Sequence, residues 1–187
     1  MKLNKALVSV AVASAFMASS AFAADGTIYF EGELVAATCD ISVNGQTSPA
    51  TVVLPTVSIN LLTAAGQTTG TTGFNIELAN CDSLGTISTA AAFFEAGSTV
   101  DPVNYRLNNT DVSANAATNV QLQLLDHHTQ NAIKIGDTSQ TSGAGATTRI
   151  DVSSGSATLP YAVEYYAMGP TTPGVVTSMV NFSIDYQ

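Results

Sequence analysis

Two adjacent histidines and two cysteines are the residues of this 187-residue sequence whose types most readily support chemistry. His127 and His128 follow Asp126 at the end of an alternating segment, an arrangement that suggests an acid–base pair. Adjacent side chains on a strand point to opposite faces, so the two imidazoles cannot chelate one ion and Asp126 faces away from His127. The other carboxylates are scattered, without a calcium loop or nucleophile motif. The sequence therefore predicts no catalytic residue, no metal site and no cofactor.

The first 23 residues have the organisation of a secretory signal peptide. Lys2 and Lys5 give a positive start, residues 6–18 are mainly apolar, and Ala21-Phe22-Ala23 places small residues where a signal peptidase reads them. The apolar run is shorter than the roughly 18 residues that cross a bilayer. We expect residues 1–23 to be removed on export, with no membrane insertion.

Export determines how the two cysteines are interpreted. Cys39 and Cys81 have no C-x-x-C partner and no histidine at ligand spacing, which argues against a zinc site. In an oxidising compartment such a pair is typical of a disulfide. Closing a loop of about 42 residues would stabilise the fold by roughly 4 kcal/mol.

The composition narrows the class of protein. Only 10% of the residues are charged, whereas about 25% is usual for soluble domains. Without the signal peptide, three basic residues remain against 14 acidic ones, which excludes a nucleic-acid-binding role. Few Lys and Glu residues also argue against a helical bundle, so a secreted, mainly β protein is expected.

The elements that must position these residues are short strands. Apolar residues alternate with polar ones in three segments, which predicts half-buried strands containing Phe74, Ile76 and Leu78; Val120, Leu122 and Leu124; and Tyr161, Val163 and Tyr165. Less regular candidates are residues 51–54, 58–62, 90–95, 105–108 and 132–136. Segments 63–73 and 138–148, rich in Gly, Ser and Thr, are expected to be loops. Many short strands with polar loops predict an all-β sandwich in one domain.

The two ends of the mature chain carry the most informative patterns. Near the amino end, Ile28, Phe30 and Leu34 fall on one face with Gly32 between them. At the carboxyl end the clearest alternation of the chain reaches the last residues, and five of its six even positions are apolar or aromatic: Val176, Ser178, Val180, Phe182, Ile184 and Tyr186. Ordinary strands of a complete sandwich would give the same patterns.

Several sequence features resemble pilins of the type 1 fimbrial family, which the chaperone/usher pathway assembles. The run from Gly26 to Cys39, the Val53-Leu54-Pro55 segment and the spacing Phe74-x-Ile76-x-Leu78-x-x-Cys81 are similar to that family. So is the carboxyl-terminal signature, a glycine fourteenth from the end with a penultimate tyrosine, here Gly174 and Tyr186. The similarity covers the mature chain, with residues 83–155 matching only in general character.

The resemblance implies an incomplete immunoglobulin-like β-sandwich that lacks its last strand and is completed by a donor strand from a neighbouring subunit. Its partners would be identical or related pilin subunits, a periplasmic chaperone and an outer-membrane usher. It implies an amino-terminal donor extension at residues 24–36, a pilin domain at 37–187, and export through the periplasm to a fimbria on the cell surface.

Site residues follow from the same resemblance. The donor strand would present Ile28, Phe30, Gly32 and Leu34, with Gly32 where the groove is too shallow for a side chain. The groove edge and chaperone contact would be formed by Gly174, Val176, Val180, Phe182, Ile184, Tyr186 and the carboxylate of Gln187. Ser178 interrupts this apolar edge, which leaves its depth in the groove open.

The expected function is thus a structural subunit of a fimbria that supports cell adhesion. The alternative is a free-standing secreted carbohydrate-binding β-sandwich, which would fold alone as a monomer and would not need residues 24–34 for self-association. A periplasmic enzyme is disfavoured because the sequence lacks a polar constellation.

Overall fold

Strands make up all of the longer regular structure in a computed structural model that describes Tyr29, residues 38–82 and residues 84–187. No α-helix occurs in these ranges, where the only helical elements are three short 3-10 turns. In chain order the strands are β1 Thr38–Val43, β2 Thr68–Asp82, β3 Thr89–Phe94, β4 Leu107–Asn108, β5 Val120–Asp126, β6 Ile150–Asp151, β7 Ala157–Ala167 and β8 Phe182–Tyr186.

The strands form two antiparallel sheets, in the orders β1-β2-β7-β5-β4 and β6-β3-β8. Their inner faces share one apolar core, to which β2 contributes Ile76, β7 contributes Leu159 and β3 contributes Phe94. The predicted all-β sandwich is confirmed. β8 lies at an edge of its sheet, because only β3 pairs with it in the described part of the chain.

An aromatic cluster joins the two sheets at the centre of the core. The rings of Phe94 and Tyr161 meet edge to face at 5.1 Å, a favoured geometry for aromatic pairs. The Tyr161 hydroxyl accepts a hydrogen bond of 2.8 Å from the Ala92 amide on the opposite sheet. Burial raises the pKa of Tyr161 to about 12, so it stays neutral at physiological pH.

The predicted disulfide between Cys39 and Cys81 is present and links β1 to β2. The Tyr186 hydroxyl lies 3.2 Å from the Cys39 sulfur, so the end of β8 packs over this bridge. Burial raises the pKa of Tyr186.

Several of the predicted elements are wrong. Residues 132–136 form no strand and contain only an isolated bridge between Ala132 and Leu125. Segment 63–73 is not wholly a loop, since β2 starts at Thr68 and its polar first residues pair with β7. Residues 51–54 lie outside any strand, and residues 58–62 contain a 3-10 turn, Ile59–Leu61. The Ser58 hydroxyl caps that turn through the Asn60 amide at 3.3 Å, which favours a turn over a strand.

His127 and His128 lie exposed in the turn after β5. Asp126, by contrast, is buried and binds backbone and hydroxyl groups of Thr129 and Thr148. The described ranges contain no group of three or more His, Cys, Asp or Glu side chains placed to hold a metal ion. None of the helices described there is long and apolar enough to span a membrane.

Candidate functional site

The last 14 residues, Gly174 to Gln187, form a segment that we call the tail. Side chains of the odd-numbered residues from 175 to 183 are exposed, whereas those of the even-numbered residues are half-buried. The half-buried side chains that pack on the core are Val176, Val180, Phe182, Ile184 and Tyr186. The tail therefore lies flat on the core with one face inward.

One edge of the tail is fully engaged by the rest of the sandwich. Its backbone bonds are carried by odd-numbered residues: Thr110 N donates to Thr177 O at 2.8 Å and Glu95 N to Asn181 O at 2.9 Å. The pattern ends at Gln187, whose amide donates to Thr89 O at 2.9 Å. The last part of the tail, β8, is held in register against β3, with Ala90 opposite Tyr186 and Phe94 opposite Phe182.

The other edge of the tail has no strand beside it in the described part of the chain. Backbone groups alternate between the two sides of an antiparallel strand, so those of the even-numbered residues point to this outer side. The residues whose side chains face the core are thus the same residues whose N–H and C=O groups are free for an added strand. Such an edge is a ready template for pairing with another chain.

A groove runs along the free edge and opens into the core. Its first cavity, of about 360 Å³, is bordered on one side by the tail from Ser178 to Phe182 and on the other by residues 48–54. Its floor consists of core side chains, including Phe74, Ile76, Phe94, Leu122, Leu124 and Val163. An opening of this kind leaves apolar side chains of the core accessible to water.

A second cavity, of about 510 Å³, lies beside the start of the tail. It is bordered by residues 171–176 and by the Val57, Ile59 and Tyr165 side chains. The two cavities follow one another along the tail, because the second ends at Val176 and the first begins at Ser178.

Gly174 is placed where the tail approaches the main chain of residues 115–117 most closely. A Cβ atom at this position would lie 2.6 Å from the Ala116 carbonyl carbon and would collide with Asn115 O and Ala117 N. The following residue makes two backbone bonds there, Val175 N to Asn115 O at 2.7 Å and Ala117 N to Val175 O at 3.0 Å. A glycine is therefore required for the tail to begin in this position.

Ser178 points inward between apolar neighbours. Its hydroxyl oxygen is buried and has no hydrogen-bond partner, and no other buried side-chain polar atom of the described residues shares this condition. Buried hydroxyl groups are normally paired, so this exception needs a physical explanation.

Arg149 fastens the last strand from the opposite edge of the small sheet. Its guanidinium contacts the Asp185 carboxylate at 2.7 Å and the Asp185 carbonyl at 2.8 Å. It also donates to the Thr89 hydroxyl at 3.1 Å, so one side chain spans all three strands. Nothing in the sequence pattern predicted this contact.

The structure brings the tail residues predicted for the groove edge together along one free edge. The predicted donor residues Ile28, Phe30, Gly32 and Leu34 lie outside the described residues. Tyr29, on the opposite face of that predicted strand, is described and exposed.

Sequence reasoning missed the wall that faces the tail. Residues 51–54 were predicted as a strand, yet Val52 and Leu54 reach the core from a segment that belongs to neither sheet. The apolar run Val52-Val53-Leu54 suggested a strand, but strand pairing depends on which segments lie alongside, and no local pattern gives that.

Comparison with known proteins identifies what kind of chain carries this groove. The model of the family described as type-1 fimbrial protein, A, matches residues 54–187. The major fimbrial subunit SMF-1 of Stenotrophomonas maltophilia is 48% identical over 170 residues, which are 89% of this chain and 95% of the relative. The chain belongs to the type-1 fimbrial protein family. The F17 fimbrial protein of Escherichia coli is 37% identical, covering 94% of this chain and 95% of that protein.

The fold of this fimbrial subunit agrees with its family. A subunit from the structure of a chaperone–usher pilus superposes with a TM-score of 0.57 at 22% identity, covering 88% of this chain and 96% of the pilus subunit. The predicted incomplete immunoglobulin-like sandwich is confirmed, as is the function of a structural pilus subunit. Its relatives are fimbrial subunits of the cell surface, which are structural proteins.

Proposed function

We propose that this fimbrial subunit polymerises by donor-strand exchange, in which residues 24–36 of one copy fill the groove of the next. The observation that carries the proposal is the free edge of the tail above two open apolar cavities. An incoming strand would pair with the free backbone groups and place alternate side chains in the cavities, the usual form of β-augmentation. Burying Ile28, Phe30 and Leu34 would contribute roughly 5 to 9 kcal/mol before ordering costs.

The spacing of the donor residues fits the spacing of the two cavities. If Gly32 lies beside Ser178, the side chains two residues away on either side reach the two cavities, since same-face side chains recur every second residue. An antiparallel strand then places Leu34 beside Val176 and Phe30 beside Val180. A parallel strand would set Ile28 beside Gly174, which has no side chain to pack against, so the antiparallel direction is favoured.

The same open groove accounts for the proposed partners before assembly. An exposed apolar groove with a free edge would aggregate in the periplasm. After removal of residues 1–23, a periplasmic chaperone would cover the groove and contact the carboxylate of Gln187, and an outer-membrane usher would exchange the chaperone for the next subunit. Residues 37–187 would act as the pilin domain.

Deletion of residues 24–34 tests the proposal. Cells producing the intact chain with its secretion machinery should yield heat-resistant polymer ladders on a denaturing gel, whereas the deletion variant should yield monomers only. A deletion variant that polymerises as well as the intact chain would refute donor-strand exchange and favour a free-standing module.

A pair of cysteines tests the direction of the incoming strand. In the antiparallel register, Glu31 of one copy faces Met179 of the next as a non-hydrogen-bonded pair, where Cα atoms lie about 4.5 Å apart, close enough for a disulfide. Glu31→Cys combined with Met179→Cys should give covalently linked oligomers without reducing agent. Glu31→Cys with Thr177→Cys is the matched control, because it would link the copies only if the strands were parallel.

A further inference from the structure

The buried hydroxyl of Ser178 has a cost in the empty groove that an incoming strand is placed to remove. A hydroxyl buried without a partner is destabilising, whereas the same group hydrogen-bonded is not. Around Ser178 the cavity offers aliphatic and aromatic side chains, among them Leu54, Phe74 and Val180. No described group satisfies the hydroxyl, so its partner has to arrive with whatever fills the groove.

Position along the tail limits what that partner is. Ser178 lies at the junction between the two cavities, with Val176 bordering one and Val180 the other. In the proposed register the residue of the incoming copy at this junction is Gly32. Glycine has no Cβ, so its main chain stays open to approach on the face that looks into the groove.

We propose that Ser178 selects glycine at position 32 of the incoming copy, because its hydroxyl donates to the remaining lone pair of the main-chain carbonyl there, directly or through one water. Any larger residue would place an apolar Cβ against the hydroxyl and leave it buried without a partner. The preference for glycine then comes from the polarity of Ser178 as well as from the shallow groove. This inference rests on the proposed donor-strand function and deepens it by naming a specificity-determining residue.

A structural role makes a different prediction. If Ser178 were present only as a small side chain, Ser178→Ala would preserve the space and therefore the preference for glycine. If its hydroxyl reads the glycine, Ser178→Ala would remove the unpaired group and weaken that preference. The two interpretations differ in the coupling between positions 178 and 32, which a double-mutant cycle measures.

The experiment uses fibres of the full chain, collected from cells that assemble them, carrying Gly32→Ala, Ser178→Ala or both. The measured quantity is the temperature at which half of the polymer dissociates into monomers in detergent. Gly32→Ala alone should lower this temperature, and Ser178→Ala should at least halve that loss, since residues in contact are not additive. Ser183→Ala is the matched control: its hydroxyl is on the outer face of the tail and donates to Glu95 at 2.7 Å, so it should leave the loss unchanged.

Additive effects of Gly32→Ala and Ser178→Ala would overturn the inference. So would loss of the polymer on Gly32→Ala both with and without Ser178→Ala, and so would a Gly32→Ala fibre that dissociates at the original temperature. None of these results touches donor-strand exchange, which is tested separately by deletion of residues 24–34 in the same cells. Urea unfolding of the Ser178→Ala monomer gives a second readout. Removal of an unpaired hydroxyl should leave the stability of the monomer equal or higher, and a clear loss would contradict the unpaired state.

Discussion

Gly174 determines where the tail begins, because a Cβ atom added there would meet main-chain atoms rather than movable side chains. Gly174→Ala should destabilise the subunit by about 1–3 kcal/mol, the usual range for overpacking. It should also reduce the yield of polymer, since the displaced tail borders the groove. The measurement is urea unfolding of the purified chain together with polymer yield.

Gly97→Ala is the control for that substitution. Nothing lies within 4 Å of a Cβ added at Gly97, so its effect on unfolding should stay within about 0.5 kcal/mol. Equal effects of the two substitutions would show that the close approach at residues 115–117 is unimportant.

Asp126 is a structural acceptor rather than a partner for His127. One carboxylate oxygen accepts from Thr148 N at 2.6 Å, and the other accepts from the Thr129 and His128 amides. Burial raises the pKa of Asp126, but hydrogen bonds from Thr148 and Thr129 outweigh this effect and hold it below the ordinary value. The ionised form is therefore favoured in the folded chain.

Asp126→Asn should cost about 1–3 kcal/mol at pH 7, because the amide group would face an N–H donor. A depressed folded-state pKa stabilises the protein above the unfolded-state pKa of about 3.9, and this contribution is lost as pH falls through the folded-state value. The difference in free energy of unfolding between the original chain and the Asp126→Asn variant, measured in urea, should shrink below about pH 4. A difference that stays constant down to pH 2 would contradict this role. The control is Asp82→Asn at an exposed position, which should leave the free energy of unfolding unchanged at pH 7 and at pH 2.

At the scale of elements, Arg149 connects β8 to the strands beside it. Lysine cannot reproduce the planar set of donors that reaches Asp185 and Thr89 together. Arg149→Lys should therefore loosen β8, with hydrogen exchange of its amides rising about tenfold while exchange in β5 stays unchanged. Mass-spectrometric hydrogen exchange measures both peptides in one sample. Equal protection of β8 in the two chains would mean that backbone pairing with β3 alone holds the tail.

The strands were predictable where alternation continued for several residues, as in β2, β7 and the tail. Two glutamines illustrate what alternation cannot give. Gln121 and Gln123 alternate with apolar residues and suggested an exposed face, yet both are buried. Arg106 stacks over the Tyr166 ring at 3.5 Å and donates to Gln123 at 2.7 Å, so contacts distant in sequence cover that face.

The candidate site was predictable only where a local sequence pattern determines it. The tail alternation and the Gly174 position follow from local pattern and from the family resemblance. The facing wall at residues 48–54 and the Arg149 clamp depend on tertiary contacts that no local pattern encodes. The unpaired state of Ser178 likewise depends on which side chains surround it.

At the scale of the whole molecule, the disulfide anchors the part of the core beneath the end of the tail. Replacing both Cys39 and Cys81 with serine should cost roughly 4 kcal/mol, from the freedom regained by a loop of about 42 residues. Because Tyr186 packs on this bridge, polymer yield should fall as well. Guanidine unfolding of the double variant measures the loss of stability. Unchanged stability would contradict the stabilising role of the bridge.

One copy of the chain leaves its own core open along the groove. Part of its 45% hydrophobic content faces an open groove, which the proposed donor strand of a second copy would cover. Ligands that bind only the folded state raise its apparent stability, and the proposed donor strand would act as such a ligand.

The most direct test adds the missing strand as a peptide. The variant lacking residues 24–34 should bind a synthetic peptide of residues 24–36 one to one, with a large rise in melting temperature and loss of apolar-dye binding. A matched peptide with Phe30→Asp should do neither, because it would bury a charge in the groove. If the native peptide leaves the melting temperature unchanged, the groove is not a donor-strand site and the central claim is wrong.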